Sequence, residues 1–239
     1  MISIVLPFYN EENRMHFFRE GLKNYANKNQ LVKELILVDD GSTDNTLQLL
    51  NEIKNNHSRL NIKIISIKPN TGKGNAVKAG IMESAQPWIL CNDADLSYSL
   101  EQIDDWYEHQ WLNFSNPEIV YIGSRELGEK QYDMKLFLHR KIIGRIFAFF
   151  INLITGISIK DTQCGYKLYP ATVAKSIFSL VKEDRFAFDV EVLYLLKKNK
   201  ITVQLLPVKC IDTEGSKVNI LSDGWDMFKA LFRIKRRHS

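Results

Sequence analysis

The sequence predicts an α/β fold, a mostly parallel sheet flanked by helices, because short apolar runs alternate with amphipathic stretches and polar motifs follow directly after the runs. The runs at 2–6, 35–38, 62–67, 88–91 and 119–122 are near-continuously apolar, as strands buried on both faces must be. Between them, helix-like stretches at 12–28, 43–55, 75–84 and 100–111 complete a βαβα rhythm. A basic and aromatic helical pattern then runs over 134–154, followed by a loop at 161–165, a helix at 188–198 and a strand at 201–206. No repeat, low-complexity tract or linker divides the chain. One domain over 1–239 is expected: a nucleotide-binding half at 1–123, an acceptor-side half at 124–218 and a basic amphipathic helix at 219–239.

A chain of 239 residues, 45% hydrophobic and 25% charged, buries a full core. The formal charge is only +4, yet five of the 32 bases, Lys229, Arg233, Lys235, Arg236 and Arg237, fall in the last eleven positions. Without them 27 bases face 28 acids, so the positive field sits at the C-terminus. That placement suits an anionic surface and not a nucleic-acid footprint. Cys91, Cys164 and Cys210 are far apart and form no CxxC pair, which excludes a cysteine zinc site or a disulfide framework and fits a cytoplasmic compartment. The first residues read as a buried strand instead of a signal peptide. The longest apolar stretch, 146–159, is 14 residues and contains Asn152 and Thr155. It falls short of the ~20 residues a bilayer span needs.

Ligands of such folds bind at the C-terminal ends of the strands, and three polar motifs stand there: 7–12, 39–44 and 92–97. Asp93 and Asp95 are two apart after an apolar run, so an extended backbone would turn both carboxylates the same way, toward one cation. Oxygen-only ligands suit Mg2+ or Mn2+. The plain alternative is a capped loop, since Asp often precedes a helix. In VDDGSTDNT, Gly41 turns the chain and residues 42–46 cap the next helix. Asp39 and Asp40 would then repel unless one accepts hydrogen bonds from a ligand or the backbone. PFYNEE reads either as a strand-to-helix turn or as a surface placing Tyr9 beside a base. NTGKGNAVKAG has the wrong glycine spacing for either named phosphate loop, so Lys73 meets an anion or simply follows a turn. The five histidines are scattered and support neither a His-ligated metal nor a triad.

Taken in order, PFYNEE, VDDGSTDNT, TGKGNA, DADLS, GSRE, DTQCGYKLYP, FAFDVEVLY and EGSK resemble the family 2 glycosyltransferases that load sugars onto polyprenyl phosphates. The resemblance runs from Ile2 to about Lys217, and within that family DTQCGYKLYP, RFAFDVEVLY and EGSK look most like dolichyl-phosphate β-glucosyltransferases, with the mannose synthases next. It implies a GT-A fold. It also implies that Pro7, Tyr9 and Glu11 line a nucleotide pocket and that Val38 and Asp40 hold the base or ribose. Asp93, Ala94 and Asp95 match the metal and diphosphate motif, Arg125 and Arg140 match phosphate-binding arginines with Arg145 as the alternative to Arg140, and Lys217 matches a base that closes over the phosphates. Ile211 stands where mannose synthases carry Arg.

The partners so implied are a nucleotide-diphospho-sugar donor, a polyprenyl phosphate acceptor and a membrane surface approached from its cytoplasmic face. A lipid phosphate has a second pKa of about 6 and is already an anion at neutral pH. A hydroxyl acceptor would need a base, for which Asp161, Asp189 and Glu191 are the candidates, the last two lying on different sides of a helix. Three functions are therefore weighed: hexose transfer from UDP-glucose to a polyprenyl phosphate, a hydroxyl-directed sugar transferase, and a nucleotide-sugar-binding protein of weak catalysis. In the last helix Trp225, Phe228 and Phe232 share a face widened by Leu231, with Lys229, Arg233 and Arg237 down one flank, a pattern for lying along a membrane interface or for packing on the core.

Overall fold

A computed structural model describes residues 1–25, 31–57, 60–134, 138–211 and 220–239, with the backbone path alone at 138–143 and 220–223. The first strand, β1 (Ile2–Phe8), is buried over nearly its whole length, so its alternating side chains serve two cores. Ile2, Ile4, Leu6 and Phe8 face one, and Val5 faces the other. A short 3-10 turn at Glu12–Arg14 leads into α1 (Met15–Tyr25), which buries Met15, Phe18, Leu22 and Tyr25 at helical spacing. Next come β2 (Val32–Asp40), α2 (Thr46–Asn56), β3 (Ile62–Ile67), α3 (Lys73–Met82), β4 (Trp88–Cys91), α4 (Gln102–Glu108) and β5 (Ile119–Ser124). Helix α3 lies so close to the sheet that a Cβ on Gly80 would sit 2.4 Å from Val5 Cγ1.

The second half departs from the predicted pattern. Helix α5 (Arg125–Tyr132) follows β5 at once, capped by the Ser124 hydroxyl, which accepts from Leu127 N. Its sequence RELGEKQY is too polar to show an apolar period. Helix α6 (Leu138–Thr155) covers the expected aromatic stretch. The four-residue strand β6 (Lys167–Pro170) and helix α7 (Ala171–Leu180) had no counterpart in the sequence reading, because a strand opening on Lys and ending on Pro gives no alternation to read. Then follow α8 (Phe188–Lys198), β7 (Thr202–Pro207) and α9 (Ile220–His238).

The seven strands form one sheet in the order β3-β2-β1-β4-β6-β5-β7. Every pairing is parallel except those of β6, which runs antiparallel to both β4 and β5. One core lies under α1, α2 and α4, and the other under α3, α7, α8 and α9. Among the described residues, no helix is long and apolar enough to cross a membrane.

Candidate active site

Two loops leaving β1 and β2 are stitched to each other at the C-terminal edge of the sheet. Asn10 N donates to Ser42 Oγ (2.9 Å), Thr43 N to Asn10 Oδ1 (2.8 Å), Glu11 N to Thr46 Oγ1 (2.7 Å) and Glu12 N to Asp44 Oδ2 (3.1 Å). The capping role expected of residues 42–46 is corrected: Asn45 at the N-cap of α2 makes no side-chain cap bond, and Ser42, Asp44 and Thr46 instead satisfy the backbone of the PFYNEE loop. Tyr9 is left on the surface, whereas the Val38 side chain is fully buried in the core. The two adjacent carboxylates escape repulsion by pointing to opposite sides of β2, each toward donors. Asp39 accepts from Ser42 N and Ser66 Oγ. Asp40, 2% exposed, accepts from Asn70 Nδ2 (2.8 Å), Thr71 N (2.9 Å), Thr71 Oγ1 (3.0 Å) and Gly72 N (2.8 Å). Its carboxylate thus fixes the loop that opens α3. Gly72 is required in that loop, since its φ is +100° and a Cβ would meet the Asp184 carbonyl oxygen at 2.4 Å.

The strand before the DAD motif ends at Cys91, so the extended backbone assumed above is not what the chain adopts. A turn closes instead, Leu96 N donating to Asp93 O (3.1 Å) with Leu96 at φ 49°. The carboxylates consequently meet different bases. Lys73 Nζ lies 2.6 Å from Asp93 Oδ1, and Arg14 Nη2 lies 2.6 Å from Asp95 Oδ2. Burial lowers the pKa of the Lys73 ammonium, but the carboxylates of Asp93, Asp189 and Asp95 more than offset this and hold it above its ordinary value. Lys73 thus meets an anion of the protein's own. The start of α3 is likewise covered from within, because the Asp184 carbonyl accepts from Gly74 N (2.7 Å) and Asn75 N (3.4 Å).

On the far side, the 161–166 loop brings a second set of charges. Asp161 accepts from Arg125 N (3.0 Å), Nε (2.9 Å) and Nη2 (2.6 Å), a bidentate pair plus the backbone. Gly165 passes so close to the DAD motif that a Cβ there would lie 2.3 Å from Asp93 Oδ2. Buried Lys167 donates to the Cys164 carbonyl (2.6 Å) and to Asp189, which with Lys73, Asp93 and Cys91 line one small cleft. Burial pushes the Cys91 thiol up to about 12. Glu191 turns the other way, accepting from Lys182 N and Glu183 N and meeting Arg237 and His238 of α9. The sequence reading missed Arg14, Lys167 and Gly165. Only Lys167 carried a local signal, a lysine set among Tyr166, Leu168 and Tyr169. The side chain of Arg140 and the whole of Lys217 lie outside the described residues.

The carboxylate oxygens of Asp93 and Asp95 are hard donors that suit Mg2+ or Mn2+. Among the described residues, no group of three or more His, Cys, Asp or Glu side chains gathers as a metal site.

The architecture is shared with solved structures of glucosyl-3-phosphoglycerate synthase from Mycobacterium tuberculosis. One, in complex with Mn2+, UDP-glucose and phosphoglyceric acid, superposes with a TM-score of 0.67 at 17% identity over 99% of this chain and 79% of that one. Such a likeness shows the fold. A sheet of this order, with acid-bearing loops gathered at its C-terminal edge, gives the chain a GT-A fold. The model of glycosyl transferase family 2 matches residues 3–178, and the chain belongs to that family. It is 31% identical to the dolichyl-phosphate β-glucosyltransferase of Dictyostelium discoideum over 99% of this chain and 74% of that one. Its identity to the human enzyme of that name is also 31%, over 99% of this chain and 75% of that one.

Proposed function

We propose that this glycosyltransferase moves glucose from UDP-glucose to a polyprenyl phosphate of the dolichyl type, with inversion at the anomeric carbon. Likeness over nearly the full chain to dolichyl-phosphate β-glucosyltransferases supports both substrates. The observation that carries the choice of acceptor is the state of the three candidate bases. Asp161 is held by Arg125, Asp189 by Lys167, and Glu191 by α9 and the backbone. A hydroxyl acceptor would need one of them to take its proton, whereas a phosphate oxygen is anionic at neutral pH and needs none. That oxygen bonds to C1 of glucose as the bond from C1 to the diphosphate oxygen breaks, and UDP leaves with the electron pair. A cation held by Asp93 and Asp95 would neutralise charge on the departing diphosphate. Pro7, Tyr9, Glu11 and Ala94 form the nucleotide side of the site, and the expected contacts of Val38 and Asp40 are corrected: Val38 is fully buried between β1 and β3, and Asp40 acts from beneath by fixing the 70–72 loop. Arg125, Arg140 and Lys217 orient the incoming phosphate.

A lipid acceptor calls for a membrane-facing surface, and α6 with α9 offers one. Ile146, Phe149 and Leu153 on α6 and Trp225 and Phe232 on α9 are exposed, Phe149 at 63% and Trp225 at 60%. Phe150 and Phe228 join the two helices edge to face, 5.5 Å between ring centroids. The expected basic flank is corrected here. Arg233 and Arg237, partly exposed, are paired with Glu183 and Glu191, Lys229 lies beside Asp226, and Leu231 is fully buried, so Lys235 and Arg236 are offered first to anionic lipid. We place this ridge on the cytoplasmic face of a membrane, peripherally attached. The test is a donor panel assayed with polyprenyl phosphate and with free glycan, in Mg2+, Mn2+ or EDTA. Glucosyl lipid formed from UDP-glucose with either cation, and lost in EDTA, is expected. Transfer only to glycan, or hydrolysis alone, would overturn the proposal.

A further inference from the structure

The C-terminal helix is tied to the interior by ions as well as by apolar packing. Arg233 grips Glu183 with two nitrogens (Nη2 to Oε2 2.7 Å, Nε to Oε1 3.3 Å), and Arg237 Nη1 bridges Glu183 Oε1 (3.1 Å) and Glu191 Oε1 (3.2 Å). His238 Nε2 lies 2.7 Å from Glu191 Oε1. The other Glu191 oxygen accepts from Lys182 N (2.8 Å) and Glu183 N (2.7 Å), so α9 and the 181–187 loop share one fully buried carboxylate. That loop presses on the start of α3. The Asp184 carbonyl caps Gly74 N and Asn75 N, and a Cβ at Gly74 would meet the Glu183 carbonyl oxygen at 2.6 Å. Lys73, the first residue of α3, holds Asp93.

We propose that Arg233, Arg237, Glu183 and Glu191 are positioning residues for the donor site, an ionic latch through which α9 sets the start of α3 and hence the place of Lys73 against Asp93. This rests on the reading of Asp93 as a donor-site residue, and not on the identity of sugar or acceptor. A helix that served only to hold a membrane would need no carboxylate beneath it. Here Glu191 is fully buried with contacts from two elements, and two backbone amides of the 181–187 loop, Lys182 N and Glu183 N, are committed to that carboxylate. A shift of α9 therefore reaches the α3 cap without passing through the sheet.

The test uses the full chain without lipid. Arg233→Met with Arg237→Met removes both guanidiniums, and Arg233→Lys with Arg237→Lys restores the charges. Hydrogen exchange is followed in the peptide covering 72–77 and in β1 as reference, and UDP affinity is measured by calorimetry in Mg2+. Exchange in 72–77 should quicken about tenfold in the methionine variant while β1 stays protected, and UDP should bind about 5- to 10-fold more weakly, with the lysine variant recovering part of each. Wild-type exchange at 72–77 in the folded methionine variant, or exchange raised equally in β1, would overturn the latch. If the double variant does not fold, Arg233→Met alone, at a half-exposed guanidinium, is read the same way, and unchanged exchange there overturns it too. Should UDP fail to bind the wild-type chain, the donor reading fails, while the exchange comparison still decides the latch.

Discussion

Gly165→Ala gives a sharp test of Asp93, because the structure supplies the displacement directly. The added Cβ would lie 2.3 Å from Asp93 Oδ2, 2.7 Å from Cγ and 2.8 Å from Oδ1. Ordinary contact begins at 3.4 Å, so the carboxylate must retreat by about 1 Å. The backbone at Gly165 is not in the left-handed region, and alanine therefore adds no backbone strain there. Overpacking of this kind costs about 1–3 kcal/mol, which leaves a domain of ordinary stability folded. A misplacement of about 1 Å in a group that sets transition-state geometry costs roughly 100-fold in rate. The assay compares kcat at saturating UDP-glucose and polyprenyl phosphate, with thermal melting to confirm the fold. Gly144→Ala is the control, since among the described residues nothing lies within 4 Å of a Cβ there. A folded Gly165→Ala enzyme with wild-type kcat would remove Asp93 from the chemistry.

Asp40→Asn should destabilise the chain by about 2–3 kcal/mol in urea unfolding and weaken UDP binding, because an amide nitrogen would face donors now served by carboxylate oxygen. Lys167→Met should cost about 3–5 kcal/mol by leaving the Asp189 carboxylate buried without its cation, and Lys167→Met with Asp189→Leu should recover most of that in melting experiments. At about pH 8 a maleimide should label Cys210 and spare Cys91 and Cys164, whose thiols burial pushes up to about 12. Since these pKa values rise on folding from an ordinary 9.0, the stability they contribute is whole below pH 9 and is lost as pH climbs toward 12, which melting across that range would show.

Periodicity made the first half legible. The runs at 62–67 and 88–91 match β3 and β4 to the residue: β4 is buried throughout and reads as an unbroken apolar run, while the half-buried edge strand β3 shows through its four isoleucines. It failed at α5, where polarity hides the face, and at β6, whose buried Lys167 contradicts every apolar rule until Asp189 is placed beside it. The DAD motif was readable as a strand-end acid pair, but its partners were not. Arg14 stands 81 residues from Asp95 and Lys73 stands 20 from Asp93, and no local pattern records such pairings. The amphipathic pattern of α9 was likewise visible, while its division into buried Leu231 and Ile234 and exposed Trp225 and Phe232 depends on α6 and α8 beneath it.

The antiparallel strand explains why the residues proposed for the donor side and for the acceptor side stand together. β4 ends at Cys91, opposite Lys167, where β6 begins. A parallel strand in that place would bring its C-terminal end to the reaction edge and send its preceding loop to the far side of the sheet. Because β6 runs backwards, the loop that precedes it arrives at the edge instead, carrying Asp161 and Gly165 between Asp93 after β4 and Arg125 after β5. Neighbouring strands are about 4.8 Å apart, so β4 and β5 are separated by roughly 10 Å with this loop in the gap. Asp161 then fixes Arg125 on one side while Gly165 yields room to Asp93 on the other. A single reversed strand thereby couples the carboxylate that would face a diphosphate to the arginine that would face an acceptor, and a side chain added at Gly165 should be felt first at Asp93.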